Sequence, residues 1–155
     1  MLSTEIITMS HKPPSWIDTG INYYSKLLTP YLKLNITNIT PIPSNLDKIQ
    51  KQKKEADLIR KQTSTSKLIV MLDESGKKYS SIELAAIFKK WQLSHSNFTF
   101  VIGPADGLGP EIKREADQLL SLSHFTFTHD MALVLLLEQI YRSVTINNNH
   151  PYHRS

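Results

Sequence analysis

The last residues of the chain, His150-Pro151-Tyr152-His153-Arg154, put two imidazoles, a phenol and a guanidinium within one short segment. Imidazole takes or gives a proton near neutral pH. A guanidinium grips phosphate or stacks on a base, and a phenol ring stacks on a nucleobase. That set suits an RNA nucleotide. A metal site would need further ligands, and no acidic or cysteine residue lies nearby, so no metal is expected. Chain ends usually fray. Here Pro151 lowers the entropy lost on ordering and favours a structured tail. Upstream, Glu138 and Arg142 stand four residues apart in a helical pattern, so they share a face and can pair. The pair either stabilises that helix alone or lets Arg142 support a site formed with the tail.

Three further stretches follow apolar runs. After Lys67 to Leu72 (KLIVML) come Asp73-Glu74-Ser75-Gly76-Lys77. After Phe98 to Ile102 (FTFVI) comes Gly103 to Gly109, with three of the five glycines in the chain. The spacing is neither GxGxxG nor a phosphate-binding GK[ST]. The third stretch, Ser121 to His129 (SLSHFTFTH), alternates serine and threonine with apolar residues. Its plain reading is a strand over Leu122 to Phe127, followed by a helix capped by Thr128. Ligands of open α/β sheets bind beyond the carboxyl ends of strands, which places all three stretches where a ligand would sit.

The elements that must position them alternate. Glu5 to Thr8 reads as a strand. Trp16, Ile17, Ile21, Tyr24, Leu27 and Leu28 recur at helical spacing. Leu34 to Thr40 alternates at period two and reads as a strand. Asn45 to Gln62 is a predicted helix with Leu46, Ile49, Ala56 and Ile59 on its apolar side. KLIVML and FTFVI are continuous apolar runs, as in strands buried on both faces. Ser80-Ser81-Ile82-Glu83 is a capping box opening a helix to about Trp91. Pro110 suits the first turn of a helix over Glu111 to Leu119. Asp130 to Arg142 is a helix apolar nearly all round, hence buried or facing a partner subunit. Val144 to Ile146 is expected to add a last short strand. The pattern predicts an α/β domain, with a mainly parallel sheet and helices on both faces.

The chain has 155 residues, enough for a single domain, 1–155, with a full core. It has no cysteine, which excludes disulfides and thiolate chemistry. MLSTEIITMS lacks the basic and apolar regions of a secretory signal. The longest apolar run, Met131 to Leu137, falls short of the roughly 20 residues that span a bilayer. A cytoplasmic protein with no membrane partner is expected. Lys plus Arg (18) exceeds Asp plus Glu (14), giving a net charge of +4 that permits a nucleic-acid partner without demonstrating one. The Lys-rich Lys48 to Lys54 reads as a solvated helix face or a phosphate contact. Composition and spacing alone leave an α/β enzyme and an RNA-binding domain both open.

The combination Leu72-Asp73-Glu74-x-Gly76-Lys77, Ile102-Gly103-x-x-x-Gly107-Leu108, Ser121-Leu122-Ser123-x-x-Thr126-Phe127-x-His129, Glu138-Gln139-Ile140-Tyr141-Arg142 and His150 to Arg154 resembles the ribosomal RNA large subunit methyltransferase H family. Lys12, Trp16 and Tyr24 also fit. That family is a small branch of the SPOUT methyltransferase superfamily, and the resemblance runs over essentially the whole chain. It implies a deep C-terminal trefoil knot, a rare exception to unknotted topology. It implies S-adenosylmethionine as cofactor, and a homodimer. The implied reaction methylates N3 of a pseudouridine in the 23S RNA of the large subunit, within the assembled ribosome. Leu72, Gly103, Leu122, Ser123, His124, Phe125, Thr126 and Phe127 become the cofactor cradle, largely through backbone. The tail becomes part of the active site. His153 is then the candidate proton acceptor and Tyr152 orients the base. Arg154 and Arg142 hold phosphate or an anionic uracil oxygen.

Two departures stand out. Pro104 occupies the second position of a loop that in the family usually reads Ile-Gly-Gly-Pro-Glu-Gly, and proline deletes an N–H donor. Leu133 stands where the family often has arginine. These motivate a rival reading, a catalytically weak RNA-binding or ribosome-assembly factor on the same fold. A SPOUT enzyme acting on transfer RNA is a third.

Overall fold

The computed structural model describes residues 2–43 and 45–154. Five strands form one sheet: β1 (Ser3–Met9), β2 (Lys33–Ile39), β3 (Ile69–Lys78), β4 (Asn97–Ile102) and β5 (Gln118–Ser121). Their order is β2-β1-β4-β3-β5, and every pair is parallel. The helices are α1 (Ser15–Leu28), α2 (Lys48–Thr63), α3 (Ser81–Ser94), α4 (Pro110–Lys113) and α5 (His129–Asn147).

Successive strand residues point to opposite faces, and here each face is covered. Ile6, Val70, Phe98 and Phe100 join Leu28, Phe88, Leu136 and Ile140 in a core beneath α1, α3 and α5. Ile7, Met9, Met71 and Val101 pack on the other side against Ala56 and Ile59 of α2 and Ile112 of α4. This explains why KLIVML and FTFVI lack polar alternation. Phe98 sits edge-on to Phe88 at 5.1 Å and to Phe100 at 5.7 Å between centroids. Each such ring contributes roughly 1.5–3 kcal/mol by leaving water. Leu133 joins this core, so an arginine at that position would have to leave it.

The capping box forms as read. Ser80 Oγ accepts from the Glu83 N–H at 3.1 Å, and Glu83 Oε2 accepts from the Ser80 N–H at 2.8 Å. Four expectations are corrected. The second helix starts at Lys48 rather than Asn45, because Asp47 caps it by accepting from the Gln50 N–H at 2.8 Å. Leu46 therefore lies outside the helix, and Ile49 is exposed. The helix expected over Glu111 to Leu119 stops at Lys113, since Gln118–Ser121 pairs with β3 as the edge strand β5. Leu122 to Phe127 is a loop, not a strand: the Ser121 and Ser123 hydroxyls bond neighbouring backbone at 3.0 Å and compete with a ladder. Val144 to Ile146 is not a strand but the continuation of α5.

The reversal that ends α5 aims the tail. Asn149 adopts a left-handed φ of 57°, which asparagine tolerates better than most residues. Its N–H bonds Ile146 O at 3.2 Å, and the His150 N–H bonds Thr145 O at 2.9 Å, the double closure of a Schellman cap. The chain then turns back and lays Tyr152 against Tyr141, at 4.7 Å between ring centroids.

β3 behaves unusually. Leu72 pairs with Leu120 of β5, the chain then leaves the ladder, and Lys77 pairs with the same Leu120. The residues in between, Asp73 to Gly76, bulge out of the ladder, and Gly76 packs against the backbone of Leu119 and Leu120.

Candidate active site

The bulged middle of β3 and the loops after β4 and β5 line a cavity of about 840 Å³, within the usual range for ligand sites. Leu72 to Ser75 form one wall, Ile102 to Leu108 a second, and Leu120 to Ser123 with Phe125 to His129 a third. Lys113 and Ala132 complete the lining. Of the residues expected in a cofactor cradle, Leu72, Gly103, Leu122, Ser123, Phe125, Thr126 and Phe127 line the cavity; His124 is exposed and outside the lining.

Local chemistry shapes each wall. Gly103 has no room for a side chain, since a Cβ would stand 2.6 Å from Leu108 Cγ. The Pro104 carbonyl accepts the Gly107 N–H at 2.8 Å, so this turn closes despite the N–H that proline lacks. Asp73 accepts from the Ser75 N–H and hydroxyl and pairs with Lys113 at 3.4 Å. Burial pushes its carboxyl upward, but those donors and the Lys113 charge outweigh it and hold Asp73 below the ordinary carboxylate value. Thr126 Oγ1 donates to Glu74 Oε1 at 2.9 Å and ties the third wall to the first. Asp106 pairs with Lys51 of α2 at 3.1 Å. Phe125 stands at the rim with 79% of its surface exposed.

The tail forms a second cluster. Arg142 donates from Nε (3.1 Å) and Nη2 (2.6 Å) to Glu138 Oε1. The Tyr152 hydroxyl donates to the same oxygen at 3.0 Å. The Arg142 guanidinium also lies 4.9 Å from the Tyr152 ring centroid, a cation–π distance. Burial first, then the Glu138 carboxylate, pushes the Tyr152 phenol far up, so it stays a neutral donor. Arg142 Nη1 lies 3.1 Å from His153 Nδ1. Arginine only donates, so Nδ1 is the acceptor, and a neutral ring carries its hydrogen on Nε2. That Nε2 is buried without a partner. Arg154 is exposed.

None of Arg142, Tyr152, His153 and Arg154 lines the cavity. Ala132, on the cavity wall, and Arg142 share α5 but lie ten residues apart, about 15 Å along the axis. The fold thus brings the loop residues together and the tail residues together, but holds the two groups apart within one chain. The sequence marked Asp73 and Glu74 only as part of the stretch after KLIVML and Glu138 only as the helix partner of Arg142, while Asp106 and Lys113 were not singled out. The position of the acidic pair directly after a buried strand was the available signal for Asp73 and Glu74. Among the described residues no group of three His, Cys, Asp or Glu could hold a metal, and no helix is long and apolar enough to cross a membrane.

Residues 2–153 match the family model described as a predicted SPOUT methyltransferase. The chain is 39% identical over 155 residues to ribosomal RNA large subunit methyltransferase H of Paraburkholderia xenovorans (strain LB400), covering 99% of each. It is 37% identical over 151 residues to the protein of that name from Herminiimonas arsenicoxydans, covering 96% of this chain and 97% of the other. Among solved structures, a probable methylase family protein from Haemophilus influenzae Rd KW20 superposes with a TM-score of 0.59 at 13% identity, covering 99% of this chain and 70% of that one. A probable methyltransferase from Bordetella pertussis Tohama I also reaches 0.59 at 10% identity, covering 91% and 95%. At such identities these two likenesses speak for the fold alone. Full-length sequence identity carries the assignment further: the chain is a methyltransferase of the SPOUT family and belongs to its ribosomal RNA large subunit methyltransferase H group.

Proposed function

We propose that this enzyme transfers a methyl group from S-adenosylmethionine to N3 of a pseudouridine in 23S ribosomal RNA, in the assembled ribosome, as a cytoplasmic homodimer. The cavity at the carboxyl ends of β3, β4 and β5 carries the proposal. Its donor set fits the cofactor. Asp73, Glu74 and Asp106 line it with negative charge suited to a sulfonium and an amine, Lys113 could pair with the cofactor's carboxylate, and the loop backbones would supply further polar contacts. Leu72, Gly103 and Leu122 to Phe127 would hold it, with His124 outside the lining in this conformation. When bound, S-adenosylmethionine supplies an electrophilic methyl group.

The protein's own task is to place N3 in line with that methyl and to receive or share the N3 proton. The 15 Å separation along α5 supports a dimer in which the tail of one protomer meets the RNA nucleotide beside the cofactor cavity of the other. Arg154, exposed near the end of the tail, is the candidate partner of a phosphate. His153 remains the candidate proton acceptor, but Nδ1 must first give up its bond to Arg142. A deep trefoil knot is part of the same reading. Its support is the family resemblance, together with the irregular register of β3 beside β5, where Leu72 and Lys77 both pair with Leu120.

Labelled S-adenosylmethionine, offered with ribosomes that lack this methyl group and with free subunits and transfer RNA alongside, tests the reading. Label is expected in 23S RNA of assembled ribosomes. Label in transfer RNA instead would redirect the substrate. No label in any RNA, from a folded protein that fails to bind cofactor, would favour the RNA-binding or assembly-factor role suggested by Pro104.

A further inference from the structure

We propose that Glu138 is the positioning residue of the C-terminal tail. Its single oxygen Oε1 collects three donors, Tyr152 Oη, Arg142 Nε and Arg142 Nη2, at 3.0, 3.1 and 2.6 Å. Its other oxygen, Oε2, accepts from Gln139 Nε2 at 2.8 Å. Both side chains of the ion pair are largely shielded, with 16% of Glu138 and 24% of Arg142 exposed. Shielding strengthens the attraction beyond that of a surface pair and fixes the geometry.

The consequence passes through Arg142. With Nε and Nη2 held by Glu138, the guanidinium plane is set, and Nη1 reaches His153 Nδ1. The same plane lies over the Tyr152 ring. One carboxylate therefore orients the phenol directly and the imidazole at one remove. Gln139 is tied in turn to α3 through the Ser81 hydroxyl at 2.8 Å, which anchors the hub to the body of the fold. Within one protomer nothing in this network touches the cavity: Glu138 lies six residues beyond Ala132 on α5, about 9 Å along the axis. Loss of the carboxylate should release the tail and leave cofactor binding alone.

This inference rests on the proposed reaction for its catalytic readout, so the test adds one that needs no reaction. Glu138→Gln, Glu138→Ala, Tyr152→Phe and the double variant E138A/Y152F are compared with the parental protein. Methyl transfer by the two Glu138 variants, at saturating cofactor and ribosomes, is expected to fall about tenfold to a hundredfold, the scale of a hydrogen bond to a charged group. The cofactor Kd is expected to stay within about twofold. The double variant should be no slower than its slower parent, because both substitutions break one network. Amide hydrogen exchange at residues 150–154 should quicken in the Glu138 variants whether or not RNA is methylated. Parental exchange in the tail, parental turnover, or additive losses in the double variant would overturn the role. An inactive parental protein would defeat the proposed reaction while exchange still decides this inference.

Discussion

Gly76 lies against the backbone of Leu120 so closely that a Cβ at Gly76 would stand 2.6 Å from the Leu120 carbonyl carbon. Leu119 and the Leu120 nitrogen would both be met at 2.7 Å. The chain thus crosses β5 at a point where only hydrogen fits, and the neighbours are backbone, which cannot rotate away.

Substitution there should be severe. Gly76→Ala is expected to cost at least about 3 kcal/mol, at the upper end for forced packing. Gly20, in the middle of α1, is the control: an added Cβ would meet Val134 at an ordinary 3.5 Å. Gly20→Ala should stabilise by about 0.5–1 kcal/mol, the helix-propensity difference. Denaturant melts of both variants measure this, and equal effects at the two sites would refute the crossing argument.

The reversal at Asn149 makes a graded prediction. Its φ of 57° costs a branched residue about 1–2 kcal/mol and costs glycine nothing. Asn149→Val should therefore loosen the tail and speed its proteolysis, while Asn149→Gly leaves both near parental. Mass-spectrometric timing of tail cleavage separates them. Identical rates for the two variants would mean that the cap does not hold the tail.

The Thr126–Glu74 bond ties two walls of the cavity together. A single such bond contributes about 0.5–1.5 kcal/mol. Thr126→Val is thus expected to raise the cofactor dissociation rate roughly two- to tenfold, measured by stopped flow. An unchanged rate would show that the walls are held by their backbones alone.

Glu55 on α2 is 6% exposed, and its Oε2 has no partner. Burial raises its pKa above the ordinary 4.5, Lys51 opposes this and Asp106 adds to it. A raised value means that folding favours the protonated acid. The contribution to stability is full below about pH 4.5 and is lost as pH climbs through the folded-state value. Glu55→Gln removes that loss. Its melting temperature should exceed the parental one near pH 7.5, with the gap closing near pH 4. A gap equal at both pH values would contradict the assignment.

Much of this was legible in the residues. Runs such as KLIVML and FTFVI announce strands buried on both faces, because a sheet covered by helices on each side leaves no position for polar alternation. Ser80 and Glu83 announce a helix start, because capping is local chemistry between residues three apart. The cavity-lining loops could be found because ligand sites follow buried strands. What failed was non-local. SLSHFTFTH alternates like a strand, yet it becomes a cavity wall because the preceding Gln118–Ser121 takes the ladder place beside β3. The three asparagines before His150 carried a helix-end signal that the β-branched Val144 to Ile146 masked. Spacing alone could pair Glu138 with Arg142. That the same carboxylate also receives Tyr152 depends on where Asn149 turns the chain, and so is set only by tertiary structure.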